Sequence, residues 1–354
     1  MSLREAAFLP DVVFRFLMKV KRPKWATFAL LIAAMPASVW AAAALDRVII
    51  GTSSVTSSAL CLWIAKEQGF FQKYGVEART VLIPGGQSLI SSLMAGNIQL
   101  VFTTGVPVLS TVAQGIDIKM LTSTSNRLSW KLMVNPQIRK AQDLRGKRIG
   151  VQSIVGSTWM NSMLALEALG LEPKRDHISF LPTGDPPLMS QALEVGRIDA
   201  AVLDPALSRM LVSKGFLMLV DLARANVFFP GLGFGAMQAY IDQHAPIVEK
   251  LVTALIESIA FILAPANKPA VLKSLVKNLK LREPSLAEEG YQDQILLLIR
   301  KPYPSLEGLR TAQRLMGLQS PKIAALKIEE IVDPLFVQKL DKSGFIDRLY
   351  AWQR

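Results

Sequence analysis

Residues 93–99 read LMAGNIQ, and residues 193–199, one hundred positions later, read LEVGRID. In each stretch a glycine, Gly96 or Gly196, ends a helical apolar pattern, and a strand-like run begins at the next isoleucine, Ile98 or Ile198. Glycine is typical of the residue just beyond a helix end. Because the same helix stop recurs before the same kind of strand, the pattern predicts a fold built from two similar halves.

The repeat extends beyond these stretches. At the same offset Ile49 matches Ile149, Ser53 matches Ser153 and Gly115 matches Gly215. The repeating unit is therefore about 100 residues, the size of half an α/β protein and longer than a solenoid repeat.

Short branched apolar runs alternate with helical segments in the first half. Strands are predicted at 47–50, 80–83 and 100–102, with a helix at 88–95 between the last two. This βαβα alternation predicts a largely parallel sheet flanked by helices. From about residue 240 to 353 the pattern is mostly helical, and these helices are expected to pack on the first half.

The predicted fold class is therefore α/β with two lobes facing each other. Lobe one comprises residues 45–128 and 237–354, and lobe two comprises residues 129–236. The chain crosses between lobes near Ser129–Met133 and again near Gly231–Ala236. Two crossings form a hinge, which suits closure around a ligand.

Residues 1–41 are predicted to be a leader with a cleavable signal peptide. Basic residues from Lys19 to Lys24 precede an apolar run, Trp25–Trp40, and small residues follow at 41–44. This order is typical of a secretory signal, with cleavage expected after Ala41. A transmembrane anchor is the alternative, but the run is broken by proline and shorter than the roughly 20 residues of a span.

Two details refine the prediction of export to the periplasm. Met18 stands directly before the basic segment and is expected to be the true initiator. Cys61 lies well beyond the apolar run, so no lipoprotein signal is predicted.

Composition narrows the function classes. The formal charge is +12, and residues 1–41 hold six Lys or Arg against Glu5 and Asp11, so the remaining chain keeps an excess of about eight positive charges. Such a field favours acidic ligands. The basic residues form no concentrated stripe, so nucleic-acid binding is not expected. With one cysteine and two histidines, no metal site or other cofactor is predicted.

Small polar loops at strand ends are the candidate ligand site, because ligands of open α/β sheets bind beyond the carboxyl ends of strands. Helices begin at these loops, so free backbone N–H groups and hydroxyls would face an anion there. Ser, Thr and Gly are also ordinary helix caps, and that alternative stays open. The candidates are Ser53, Ser54, Thr56, Thr103, Thr104, Gly105, Gly156, Ser157 and Thr158.

Three further residues complete the candidate set. Asp204 either holds a ligand amine or hydroxyl or caps the next helix, and Gln87 is a possible donor beside a glycine turn. Trp159 is the preferred apolar wall among the tryptophans, since it adjoins a proposed anion loop. Neither His177 nor His244 has a nucleophile beside it in sequence, so no catalytic residue is predicted.

Several segments resemble one protein family. They are 65–71 (AKEQGFF), 74–76 (YGV), 93–99 (LMAGNIQ), 143–151 (DLRGKRIGV) and 193–200 (LEVGRIDA). From Arg47 to about Tyr350 the chain resembles the nitrate/sulfonate/taurine-type periplasmic binding proteins of ABC importers. These share a domain with thiamine-pyrimidine synthase proteins. Gln99 replaces an acidic residue of the family and is expected to be a surface change.

The resemblance implies a type II periplasmic-binding-protein clamshell. It also implies a monomer that captures a small, anionic, sulfonate-, nitrate- or taurine-like ligand and delivers it to an ABC permease in the membrane. Two alternatives stay open. One is an enzyme of the same fold in thiamine-pyrimidine or menaquinone-type metabolism, although that branch's cysteine-rich motif is absent here. The other is a periplasmic ligand sensor.

Overall fold

The computed structural model describes residues 45–53, 55–225, 227–281 and 285–353. The predicted leader and signal peptide, the initiator Met18 and the cleavage site lie outside these residues, as does Ser54. Leu45–Arg354 form one compact unit.

Two five-stranded mixed sheets organise the described residues. Sheet one has the order β2-β1-β3-β10-β4, in which β1, β2 and β3 are parallel and β10 is antiparallel to both of its neighbours. Its strands are β1 (Asp46–Thr52), β2 (Val76–Leu82), β3 (Leu100–Thr103), β4 (Ile118–Met120) and β10 (Gly233–Met237).

Sheet two repeats this arrangement with the order β7-β6-β8-β5-β9, in which β5 is the antiparallel strand. Its strands are β5 (Lys131–Val134), β6 (Arg148–Val151), β7 (Ser179–Pro182), β8 (Ala200–Leu203) and β9 (Leu217–Asp221). The predicted α/β class with two similar halves is confirmed.

The repeat differs from the prediction by one residue in its first strand. Ile50 pairs with Leu100, whereas Ile149 pairs with Ala200, so Ile149 is the counterpart of Ile50 rather than of Ile49. The glycines Gly51 and Gly150 make the match clear. A Cβ on Gly51 would overlap the δ-methyl of Ile98, and a Cβ on Gly150 would overlap that of Ile198. Each isoleucine lies between a helix and the strand that follows it. The offset between the two halves is therefore 99 at their first strands, β1 and β6, and 100 from the helices Gly86–Met94 and Pro186–Glu194 onward.

Helices cover both sheets. Beside sheet one lie α1 (Leu60–Glu67), α2 (Phe70–Lys73), α3 (Gly86–Met94) and α4 (Gly105–Val112), and beside sheet two lie α5 (Ser157–Ala168), α6 (Pro186–Glu194) and α7 (Pro205–Ser213). The C-terminal helices are α8 (Gln238–Leu263), α9 (Lys268–Leu279), α10 (Leu286–Leu297), α11 (Leu306–Gly317), α12 (Pro321–Ala324), α13 (Leu335–Lys342) and α14 (Phe345–Arg348). Short 3₁₀ turns occupy Ser57–Ala59, Ala141–Leu144, Pro265–Asn267, Ile328–Ile331 and Ala351–Gln353.

The long helix α8 anchors the C-terminal region on the sheet-one side. Its predicted apolar face, Val248, Leu251, Leu255 and Ile259, is fully buried against α1 and α2. Burial of each such side chain is worth about 1.5–3 kcal/mol. The helix direction breaks at His244, two residues before Pro246, because proline disfavours helical geometry in the preceding turn.

Helix α10 departs from the expected packing. It contacts α7 on the sheet-two side as well as α9, and Arg209 of α7 pairs with Glu289 of α10 at 3.1 Å. Helix α11 similarly packs on α4 while its Arg314 makes two hydrogen bonds to Glu167 of α5, at 2.9 and 3.0 Å. These two helices therefore touch both halves.

Two antiparallel segments, 121–130 and 222–232, connect the sheets. Their backbones are hydrogen-bonded to each other, from Thr124 N to Leu232 O (2.8 Å) and from Gly231 N to Ser125 O (3.1 Å). The predicted crossings overlap the first residues of β5 and β10 instead. A boundary at 236/237 would separate β10 from the sheet in which it pairs, so the return crossing precedes Gly233. Division into two mobile lobes remains a proposal.

Candidate functional site

A cleft lies between the strand-end loops of the two sheets and the connecting segments. Its empty space, counted to the mouth, is about 720 Å³. It is lined by Ser53, Thr56, Ser58, Thr104, Thr124, Ser125, Arg127, Leu128, Ser129, Trp130, Gln152, Ser157, Thr158, Asn161, Pro186, Phe229, Gly231, Leu232, Gln294 and Leu297.

Two of the helices that begin at the cleft, α4 and α5, have no side-chain cap. Gly156 precedes α5 and has no side chain, and Thr104 precedes α4 without accepting a hydrogen bond from a backbone N–H of that helix start. By contrast α6, whose first residue Pro186 lines the cleft, is capped by Asp185, and α7, which starts away from the cleft, is capped by Asp204. Uncapped helix starts leave backbone N–H groups and a positive dipole end available to an anion.

Charge among the described residues that line the cleft has one sign. Among the described lining residues Arg127 is the only one with a charged side chain. It lies in the first connecting segment, with its guanidinium 5.3 Å from the centre of the Phe228 ring in the second. A single guanidinium beside hydroxyls and amides makes the cleft electrostatically suited to an anion.

Two amide residues that line the cleft are almost wholly buried, and each has one unpaired side-chain atom. Asn161 of α5 is 2% exposed and Gln294 of α10 is 3% exposed. Asn161 Oδ1 and Gln294 Nε2 have no hydrogen-bond partner within the described residues. Buried polar atoms are nearly always paired in folded proteins, so an unpaired atom at a cavity wall marks a place for a ligand or water.

The two sides of the cleft touch at its polar end. Thr104 Oγ1 lies 2.5 Å from Ser157 Oγ, and Gln152 Nε2 donates to the Ser53 carbonyl at 3.1 Å. Thr158 Oγ1 accepts from Gln152 N at 2.7 Å, which fixes the loop between β6 and α5. In that loop Val155 has a φ of 61°, a left-handed conformation that is costly for a β-branched residue.

Most of the predicted site residues lie at this place. Ser53, Thr56, Thr104, Ser157 and Thr158 line the main cleft. An adjoining pocket, which shares Ser53 and Ser157 with the cleft, is lined by the predicted Gln87, Thr103 and Gly156. Ligand contact by these residues stays a prediction.

Three predicted residues do not line either cavity. Asp204 is fully buried and caps α7, accepting from Leu207 N at 3.1 Å, so the capping alternative describes its position. Burial raises its pKa to about 6. Trp159 is 3% exposed and packs edge-to-face on Phe180, with ring centroids 5.9 Å apart. Gly105 is covered by Leu309 and Pro230.

Sequence reasoning missed Arg127, Gln152, Asn161 and Gln294, and it ranked Trp130 below Trp159. Asn161 had a usable signal, because it follows Ser157 by four residues and so lies on the same face of α5. Arg127 lies in an aperiodic connecting segment, and Gln294 reaches the cleft only through the tertiary packing of α10.

Comparison with known proteins places the chain in a family. The model of the "NMT1/THI5 like" family matches residues 57–268, more than half of the sequence. The chain belongs to this family. The predicted resemblance, to periplasmic binding proteins that share a domain with thiamine-pyrimidine synthase proteins, is thereby confirmed.

Solved structures agree on the fold of this NMT1/THI5-like protein. The alkanesulfonate-binding protein SsuA from Xanthomonas axonopodis pv. citri, bound to MOPS, superposes with a TM-score of 0.65 at 22% identity, covering 82% of this chain and 99% of that one. The periplasmic aliphatic sulphonate binding protein SsuA from Escherichia coli gives 0.62 at 20% identity, covering 81% and 97%.

The periplasmic nitrate-binding protein NrtA from Synechocystis PCC 6803 is a third neighbour. It gives a TM-score of 0.70 at 15% identity, with 84% of this chain and 89% of that one covered. At these identities the comparison establishes the periplasmic-binding-protein fold. In the described part of the chain, no helix combines the length and apolar character needed to cross a bilayer.

Proposed function

We propose that this chain is an exported solute-binding protein that holds a small anion between two lobes and delivers it to an ABC permease. The observation that carries the proposal is the composition of the cleft wall: one arginine, uncapped helix starts and many hydroxyls, with no carboxylate among its described residues. The sulfonate and nitrate binding named for the neighbours supports the same ligand class.

Closure follows from the position of the cleft. Lobe one contributes Ser53, Thr56 and Thr104, and lobe two contributes Gln152, Ser157 and Asn161. A ligand that contacts both sets stabilises only the shut arrangement, so binding shifts the population toward it. The paired connecting segments supply the hinge. A closed lobe pair is then the form that a permease in the membrane recognises.

The test is a binding screen on the chain from residue 45 onward. Calorimetry and thermal-shift measurements use sodium salts of alkanesulfonates, taurine, nitrate and carboxylates, with an uncharged sulfonamide and a primary amine as controls. The proposal predicts saturable binding of at least one anion and none of the controls. Binding of the amine, or of no anion, would contradict it. Transport itself is tested by uptake of the bound anion in cells that carry or lack the gene.

A further inference from the structure

The cleft has an apolar section beside its polar end. Leu128, Trp130, Phe229, Leu232 and Leu297 line it together with the hydroxyls and Arg127. Resting on the proposed function, this division assigns the ligand's anionic head to the helix starts and the arginine. Its body then lies against the apolar wall. A ligand with only an anionic head and an apolar body would give no role to two further residues of the cleft wall.

Those residues are the buried amides Asn161 and Gln294. The Asn161 Oδ1 acceptor and the Gln294 Nε2 donor are both unpaired, and both residues are at least 97% buried. They come from different elements, α5 and α10, and both line the cleft. An apolar ligand body offers these buried atoms no hydrogen-bond partner, and leaving a buried polar atom unpaired is costly.

We infer that the ligand carries, besides its anionic head, a neutral polar group that both donates and accepts hydrogen bonds, read by Asn161 and Gln294. A hydroxyl or amide on the body satisfies this requirement, since it donates to Asn161 Oδ1 and accepts from Gln294 Nε2. Such a site discriminates against an analogue that lacks the group, because the analogue leaves both amide atoms unpaired. The ligand class is thus a hydroxylated or amide-bearing organic anion.

The contacts of α10 with neighbouring elements explain why Gln294 lies at the cleft. The family match ends at residue 268, so Gln294 lies in the part of the chain beyond it. Helix α10 packs on α7 on the sheet-two side, where Arg209 and Glu289 pair at 3.1 Å. The amide is therefore positioned by contacts that do not involve the ligand.

The experiment measures affinities for matched pairs of probes. The pairs are benzenesulfonate with 4-hydroxybenzenesulfonate, propane-1-sulfonate with 3-hydroxypropane-1-sulfonate, and 3-phenylpropanoate with 3-(4-hydroxyphenyl)propanoate. In the unaltered chain the hydroxylated member of at least one pair is expected to bind about tenfold or more tightly, the effect of satisfying a buried polar pair.

Variants then assign the effect. Asn161→Leu and Gln294→Met should each reduce that preference to less than about threefold while binding the plain member as well or better. Gln292→Met, on the same helix but at a different cavity, should keep it. Equal binding of all pairs by the unaltered chain overturns the inference and leaves the proposed function intact. If both variants keep the preference for the hydroxylated probe, Asn161 and Gln294 do not recognise the hydroxyl and the inference is wrong. Failure of every anion to bind removes both proposals.

Discussion

Thr104 Oγ1 and Ser157 Oγ lie 2.5 Å apart, the first at the start of α4 on the sheet-one side and the second at the start of α5 on the sheet-two side. Each hydroxyl stands at a helix N-terminus, so the contact brings two positive dipole ends to one point of the cleft. This contact is the geometric basis of the proposal that an anion binds both sides.

Substitution of Ser157 should affect mainly anion affinity, whereas substitution of Thr158 should also affect the stability of the fold. Ser157→Ala removes a cleft hydroxyl and should weaken anion binding by about three- to tenfold with little change in melting temperature. Thr158→Val leaves the Gln152 N–H without its acceptor and should also lower the unfolding free energy by about 1–3 kcal/mol. Calorimetry and thermal melts on the two single variants check this. Equal affinity of Ser157→Ala and the unaltered chain would remove that hydroxyl from the site.

Arg127 should set both affinity and its salt dependence. Replacement by glutamine removes the one charged side chain among the described lining residues and should weaken anion binding about tenfold or more. The measured dissociation constant should also become less sensitive to added salt. The exposed Arg197, outside the cleft, provides the matched control as Arg197→Gln. If both variants bind alike, the guanidinium does not contact the ligand.

Gly231 should be intolerant of a side chain. A Cβ there would overlap the Ser125 side chain and carbonyl in the opposing connecting segment. Gly231→Ala is expected to lower the unfolding free energy by about 1–3 kcal/mol and to weaken ligand binding by disturbing the hinge. In α10, Gly290→Ala meets only contacts at 3.8 Å or beyond, so it should be neutral or stabilising by up to about 1 kcal/mol. Denaturant titrations that show equal stability for both variants would contradict this packing.

Asp204 should make stability fall as pH rises. Burial raises its pKa from the ordinary 3.8 to about 6, so between these values the folded chain binds more protons than the unfolded chain. Stability then decreases from pH 4 to pH 6 and is level above that range as far as this group is concerned. The difference amounts to about 3 kcal/mol at most.

Asp204→Asn isolates that contribution. Asparagine still caps α7 but does not ionise, so the variant should lose the decline between pH 4 and pH 6. Relative to the unaltered chain it should therefore gain stability as pH rises through this window. Asp185→Asn, at the cap of α6, is the matched control. Parallel pH profiles for Asp204→Asn and the unaltered chain would show that the buried carboxyl has an ordinary pKa.

Local sequence signals predicted the halves of the fold and the loops of the site. Strands such as Asp46–Thr52 are apolar runs followed by small polar residues, and that change marks where ligand loops begin. The one-residue error in the repeat arose because the chain from β6 to β7 is one residue longer than the chain from β1 to β2: Ile149 pairs with Phe180, whereas Ile50 pairs with Thr80. Helical geometry explains Trp159: each residue turns by about 100°, so the side chain after Thr158 points into the core.

Tertiary packing determined the rest. Gln294 and Arg127 reach the cleft because α10 and a connecting segment pass beside it, which no periodic pattern reveals. Gln99 was expected at the surface, yet its side chain accepts from Ile49 N at 2.9 Å. In the other half, the Asp199 carboxylate accepts a hydrogen bond from Arg148 N at 2.9 Å. An amide thus replaces a carboxylate in one and the same backbone contact.

A reversible crosslink across the cleft shows whether the ligand is held between the two sides. The double variant Thr104→Cys/Ser157→Cys places two thiols where two hydroxyls now touch, within reach of a disulfide, and the native Cys61 is buried. With a sulfonate or other anion that binds the reduced variant, the account predicts that prior oxidation abolishes binding and that reduction restores it. Undiminished binding by the fully oxidised protein would contradict a ligand held between the two sides.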